Sequence, residues 1–174
     1  MVSGLEIKYF WKVKTICLLY GGNMGETLAV FEKATAMLVK KIGPVYRQSS
    51  VYRSQAWGYE SKNDFINQLV LFKTEFKAQQ VLHYCLETES LLGRKRNNSP
   101  GYSDRTIDID ILYMDDLILS TDQLTIPHPR LHERLFALLP LCDVIPEFIH
   151  PVLQKSNKSL LDLCPDKSTI EKLD

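Results

Sequence analysis

The sequence predicts an α+β domain in which helices pack on a mostly antiparallel sheet. Three observations lead there. Short apolar runs carry the spacing of strands. Two segments between them carry apolar residues at three- and four-residue steps. Gly, Pro and Asp punctuate the junctions.

Thr15 to Tyr20 is an apolar run that stops at Gly21-Gly22-Asn23, as a buried strand stops at a turn. Leu28, Phe31, Thr35, Leu38 and Ile42 then mark one face of a helix, which Gly43-Pro44 ends. Val45 to Tyr52, rich in Val, Ser and Tyr, reads as the second strand. After a polar loop from Gly58 to Asn63, Phe65 to Thr74 reads as the third. Ala78, Val81, Cys85 and Leu92 mark a second helix stopped by Gly93. A second polar loop runs from Arg94 to Asp104. Ile107, Ile109, Ile111 and Tyr113 then alternate with Asp108 and Asp110, the period of a strand. Asp115-Asp116 turns the chain into a short strand, Leu117 to Leu119. A third helix is expected over Leu131 to Leu139, limited by Pro140, and a short one around Ser159 to Leu163. The order strand, helix, strand, strand, helix, strand is the split βαβ pattern of the ferredoxin-like class, with its helices on one face.

Composition sets the limits. The chain has 174 residues, 45% hydrophobic and 24% charged, which suits one domain and excludes disorder. Residues 15–174 read as that domain and 1–14 as an N-terminal extension. Lys plus Arg and Asp plus Glu are each 21, so no basic excess points to nucleic acid. No apolar run has the length of a membrane helix. Cys17, Cys85, Cys142 and Cys164 are scattered, without zinc-site spacing, and suit a reducing cytoplasm. No obligate protein partner is evident from the sequence.

The strongest chemical signal is Arg105-Thr106-Ile107-Asp108-Ile109-Asp110. In a strand, residues two apart share a face, with Cα atoms roughly 6.5–7 Å apart. Two carboxylates so placed suit magnesium, which binds through one or two of them plus substrate phosphates. Arg94, Lys95, Arg96 and Arg105 flank this pair, and Arg130 and Arg134 lie near His128. Such cations suit the oxygens of a polyphosphate, and the planar fork of Arg binds them in pairs. Gly21-Gly22-Asn23 lies between a strand and a helix but is neither a Walker A loop nor a dinucleotide fingerprint. Nothing supports a covalent nucleophile. The residues therefore indicate phosphoryl-type transfer from magnesium-bound ATP.

Gly21-Gly22-Asn23, Ser50-Val51-Tyr52-Arg53, Asp64-Phe65-Ile66-Asn67, Gly93-Arg94-Lys95-Arg96, Arg105 to Asp110 and Ile126-Pro127-His128-Pro129-Arg130 together resemble 6-hydroxymethyl-7,8-dihydropterin pyrophosphokinase. The resemblance keeps order and spacing from about Thr15 to Pro151. It implies a ferredoxin-like fold and a place in folate biosynthesis. The implied reaction transfers the diphosphate of ATP to the hydroxymethyl group of 6-hydroxymethyl-7,8-dihydropterin and releases AMP.

By the same resemblance, Asp108 and Asp110 hold magnesium, two ions being expected, and with Arg94, Arg96 and Arg105 form the catalytic set. Those arginines and His128 contact the nucleotide, while Ile111, Leu124 and Thr125 line the adenine pocket. Ser54, Trp57, Phe65, Asn67, Arg134 and Phe136 form the pterin site, the two Phe rings sandwiching the heterocycle. Gly22 stands where members of the family often have Ser, and Pro129 where a Tyr often follows the His. Tyr102 stands for a Trp in the loop before Arg105, where the accompanying Arg has no counterpart. The loops 58–63 and 97–104 are expected to close over the substrates. Two rival activities fit parts of the pattern: RNA reading on a ferredoxin-like sheet, and nucleotidyl transfer with release of pyrophosphate.

Overall fold

The computed structural model describes residues 12–58, 61–94 and 103–173. Arg96, Tyr102 and most of the 97–104 loop lie outside the described residues. The order of elements is β1 (Lys14–Gly22), α1 (Thr27–Ile42), β2 (Val45–Gln48), β3 (Val51–Ser54), β4 (Phe65–Thr74), α2 (Ala78–Leu91) and β5 (Asp108–Met114). Then follow β6 (Leu119–Ser120), β7 (Thr125–Ile126), α3 (Leu135–Val144), α4 (Asn157–Asp162) and β8 (Ile170–Leu173). Every pairing of named strands is antiparallel, and the main sheet runs β5-β1-β4-β3-β8, with β2 also on β4. This is the ferredoxin-like α+β arrangement with an added edge strand.

The apolar pattern decides how the sheet is covered. Ile16, Leu18 and Tyr20 of β1, Val70 and Phe72 of β4, and Ile109 and Ile111 of β5 pack with Phe31, Ala34, Leu38 and Ile42 of α1 and Val81 and Cys85 of α2. The alternate residues Cys17, Leu19, Leu69, Leu71 and Leu112 pack with Ala137, Leu138, Leu141 and Val144 of α3 and Leu160 of α4. The expectation of helices on one face is therefore incomplete. Both sets of alternating side chains on the central strands are apolar, so both faces need cover. Leu28, expected on the core face of α1, is half exposed, and Ala34 occupies the buried stripe in its stead.

Several boundaries differ from the sequence pattern for local reasons. The expected strand Val45 to Tyr52 is broken at Ser49-Ser50. There the Ser49 hydroxyl accepts from the Leu69 amide at 3.0 Å, and the Ser50 amide donates to Asp143 at 2.8 Å. Side chains thus take over bonds a continuous ladder would make. The strand expected at Leu117 to Leu119 is instead Leu119–Ser120, paired with Thr125–Ile126. The helix expected at Leu131 to Leu139 is a 3-10 turn, Leu131–Glu133, followed by α3, which runs through Pro140. Pro140 withholds one backbone donor, a cost offset by the buried apolar stripe around it. The short helix starts earlier than expected, at Asn157, where the Ser156 hydroxyl caps it by accepting from Ser159 N.

Gly43 ends α1 at φ 127°, where a Cβ would stand 2.1 Å from the Lys73 carbonyl oxygen. Only glycine fits so close to a neighbouring strand. No helix among the described residues is long and apolar enough to cross a membrane.

Candidate active site

The α3 face of the sheet changes character along its strands. Under α3 it is apolar; beyond, it is polar. Asp108 of β5 lies opposite Gly21 of β1, and Gly21 lies opposite Asn67 of β4, so the three form one row across the sheet. Asp110 is two residues on, opposite Leu19. Strand parity places Asp108 and Asp110 on this face, as the Asp-x-Asp spacing predicts. With strands about 4.8 Å apart, the row sets Asp108 and Asn67 roughly 10 Å from one another. Gly21 in the middle leaves the floor open; a Cβ there would stand 3.4 Å from Asn67 Oδ1. Next to it, a Cβ on Gly22 would stand 2.6 Å from the Thr106 carbonyl, so its absence lets the end of β1 abut the segment leading into β5.

Over this floor lies a cleft of about 710 Å³, counting its open mouth. The predicted residues Asp108, Asp110, Arg105 and His128 line one part, and Ser54, Trp57, Phe65, Asn67, Arg134 and Phe136 the rest. Phe136 and Arg134 come from the start of α3, so the helix layer the sequence pattern had left on the other face supplies a wall.

Charge is concentrated on the Asp108 side. Asp108 accepts from Nη1 of both Arg94 and Arg105, and Arg94 also donates to Glu89 at 2.6 Å. Burial opposes the Arg94 charge, but the Asp108 and Glu89 carboxylates outweigh it and hold its pKa above the usual guanidinium value. Asp110 stands 3.9 Å from Arg134. Its carboxyl is pushed up to about 7, first by burial and then by the neighbouring Asp108 charge. A cation between the two carboxylates would relieve that repulsion. Among the described residues no group of three or more His, Cys, Asp or Glu could hold a metal. A magnesium ion here would draw its other ligands from water or phosphate oxygens, as magnesium commonly does, so the pair fits it.

His128 hangs beside these groups, its amide bonded to Leu112 O at 3.0 Å. Burial, and then the Arg134 charge, push its pKa down to about 4, so the ring is neutral. Its Nδ1 accepts from the Arg130 amide at 3.2 Å, which leaves the proton on Nε2.

On the Asn67 side, Asn67 Nδ2 donates to Ser54 Oγ at 3.0 Å, both side chains being buried. Two aromatic rings lie beside arginines: Arg105 is 5.6 Å from the Phe65 centroid and Arg134 5.6 Å from that of Phe136. The Trp57 ring meets two, Arg130 at 4.3 Å and Arg134 at 5.0 Å.

A family model described as 7,8-dihydro-6-hydroxymethylpterin-pyrophosphokinase (HPPK) matches residues 17–146. The chain belongs to this family. The 2-amino-4-hydroxy-6-hydroxymethyldihydropteridine pyrophosphokinase of Porphyromonas gingivalis is 36% identical over 138 residues, 78% of this chain and 93% of that protein. The folic acid synthesis protein FOL1 of Dictyostelium discoideum is 35% identical over 149 residues, 85% of this chain but 22% of that one. Among solved structures, HPPK-DHPS of Plasmodium falciparum superposes with a TM-score of 0.68 at 20% identity. The superposition covers 87% of this chain and 41% of that one, a likeness of fold. The chain is thus of a pyrophosphokinase family, and it spans a minor part of the two longer relatives.

Not every expected residue reaches the cleft wall. Ile111 and Leu124 are buried in the core under α1 and α2, and Thr125 is half-buried in the β6–β7 hairpin. Arg94 stands behind Asp108. Three features of the site go beyond the pattern, which read Asn23 only as part of the Gly21-Gly22-Asn23 motif. Leu19 and Gln55 line the cleft. Asn23 ties the β1–α1 turn to the polar loops: its Nδ2 donates to Asp104 at 2.8 Å and Ser61 at 3.3 Å, and its Oδ1 accepts from Arg105 N at 2.9 Å. Glu89, buried on α2, accepts from Arg94 and from the Ile109 amide. A sequence signal for Glu89 exists: it follows Val81 and Cys85 at four-residue steps, a carboxylate on an apolar stripe.

Proposed function

We propose that this chain transfers the diphosphate of ATP to the hydroxymethyl group of 6-hydroxymethyl-7,8-dihydropterin, releasing AMP, as a magnesium-dependent step of folate biosynthesis in the cytoplasm. The observation that carries the reading is the cross-strand row Asp108–Gly21–Asn67, which sets an acidic, arginine-flanked end beside an aromatic, amide-bearing end in one cleft. A nucleotide triphosphate suits the first end and a flat, polar-edged heterocycle the second.

On this reading Asp108 and Asp110 hold magnesium. When bound, magnesium would draw negative charge off the phosphate oxygens and lower the pKa of the attacking hydroxyl. Arg94, Arg105 and Arg96 neutralise the triphosphate, and neutral His128 offers Nε2–H to the nucleotide. Ser54 fixes the Asn67 amide so that its remaining donor and its acceptor face the pterin edge. Phe65 and Phe136 stack on the ring, and Trp57, backed by two arginines, closes its side. Held in this way, the hydroxymethyl oxygen attacks the β-phosphorus in line. The new O–P bond forms as the bond to the α-phosphate oxygen breaks, AMP departs and the hydroxyl proton passes to water.

Product analysis tests this. With magnesium, ATP and the reduced pterin alcohol, AMP and a diphosphorylated pterin are expected in equal amounts. Release of pyrophosphate instead would establish nucleotidyl transfer and overturn the proposal.

A further inference from the structure

Arg94 has two partners of different fate. One is Asp108, a carboxylate that the reading above commits to magnesium. The other is Glu89, whose side chain is almost wholly buried between α2 and β5. A single Glu89 oxygen accepts from Arg94 Nη1 at 2.6 Å and from the backbone amide of Ile109 at 2.7 Å. Ile109 separates the two aspartates, so one carboxylate is bonded both to the Arg94 guanidinium, which also holds Asp108, and to the backbone between the two carboxylates proposed to hold magnesium. A buried carboxylate is costly unless its partners are strong, and here they include an ionised donor and a strand amide. Arg105 is held differently: besides Asp108, its Nε donates to the Ser103 carbonyl at 3.1 Å, an exposed loop contact.

We propose that Glu89 is a positioning residue that keeps Arg94 aimed at the triphosphate after magnesium has taken Asp108. The inference rests on the pyrophosphokinase reading. In the free protein Arg94 is held from two sides, and Asp108 alone can orient it. In the loaded site the Asp108 oxygens face the metal, and Glu89 becomes the anchor. Its bond to Ile109 N fixes that anchor relative to the Asp108–Asp110 pair, so guanidinium and metal ligands keep one geometry. Glu89 touches neither substrate; it acts through Arg94.

The test is a double-mutant cycle read by calorimetric titration of magnesium with α,β-methylene-ATP, whose bridging carbon blocks transfer. Glu89→Gln keeps an oxygen to accept from Ile109 N but removes the charge that orients Arg94. It should weaken binding of the analogue roughly tenfold. Arg94→Ala should weaken it at least as much, and adding Glu89→Gln to Arg94→Ala should change nothing further. Losses that add in the double variant overturn the inference, because Glu89 would then act independently of Arg94. A wild-type protein that does not bind the analogue sinks the pyrophosphokinase reading and this inference with it. Should Glu89→Gln fail to fold, the wild-type protein decides. Side-chain nitrogen resonances of Arg94 should stay restricted when magnesium and the analogue bind, and free rotation of that guanidinium overturns the proposal.

Discussion

On the proposed reading, Asp110 serves a ligand at the expense of the free protein. Its pKa is pushed up to about 7 from an ordinary value of about 3.9. Between those values the folded protein holds a proton that the unfolded chain has lost, so stability falls as pH rises through the window. We expect Asp110→Asn to remove this dependence. The variant should match the wild type near pH 4 and melt at a higher temperature above pH 7, while turnover falls on the order of 100- to 1000-fold. Urea unfolding across pH and a steady-state assay check the two halves. A variant less stable than wild type at pH 8 would show that the Arg134 contact outweighs burial and repulsion. The Asp108–Asp110 pair was legible in the sequence because strand parity needs only the alternation with Ile107, Ile109 and Ile111. Glu89 was not singled out and Asn23 was read only as part of the Gly21-Gly22-Asn23 motif, because their contacts are with partners distant in sequence: Ile109 lies 20 residues from Glu89, and Asp104 81 residues from Asn23.

At the scale of elements, legibility followed the strength of the local pattern. β4 falls on the expected Phe65 to Thr74, a long apolar run at the centre of the sheet. α2 and its stop at Gly93, φ 87°, also follow the pattern. β8 was missed because Ile170–Leu173 holds two charged residues in four and gains its strand form from pairing with β3. α3 was cut short at Pro140 because a proline rule reads the backbone and not the burial around it. The α1–β2 junction rests on Gly43, which is left-handed and pressed against the Lys73 carbonyl of β4. We therefore expect Gly43→Ala to destabilise the fold by more than about 1 kcal/mol, since neither the conformation nor the space admits a methyl group. Lys73 lies six residues along β4 from Asn67, roughly 20 Å by strand rise, so kcat and KM of the folded fraction should stay near wild type. Denaturant titration paired with kinetics checks this, and an unchanged midpoint would mean that the junction simply shifts.

For the whole molecule, the two-sided cover of the sheet decides where chemistry can occur. α1 and α2 pack on one face, while α3 and α4 bury Cys17, Leu19, Leu69 and Leu71 on the other and leave the row from Asp108 to Asn67 under an open cleft. Sequence order alone could not reveal this, because β5 to α3 is a long connection whose return face is set by the apolar residues left over on the sheet. One consequence concerns Phe136, which enters the cleft from α3 while the acidic end stands on β5. Its ring belongs to the helix layer and reaches the site from across the cleft, so its removal should be felt where a flat ligand lies and little where phosphates lie. We expect Phe136→Ala to weaken 6-hydroxymethyl-7,8-dihydropterin binding roughly tenfold or more through lost stacking and burial. Affinity for magnesium with α,β-methylene-ATP should stay within about twofold, because the variant leaves the charged groups in place. Calorimetry of each ligand separately decides. Equal losses for both would mean that Phe136 supports the packing of α3 on the sheet, and that the aromatic wall serves the fold and not the pterin.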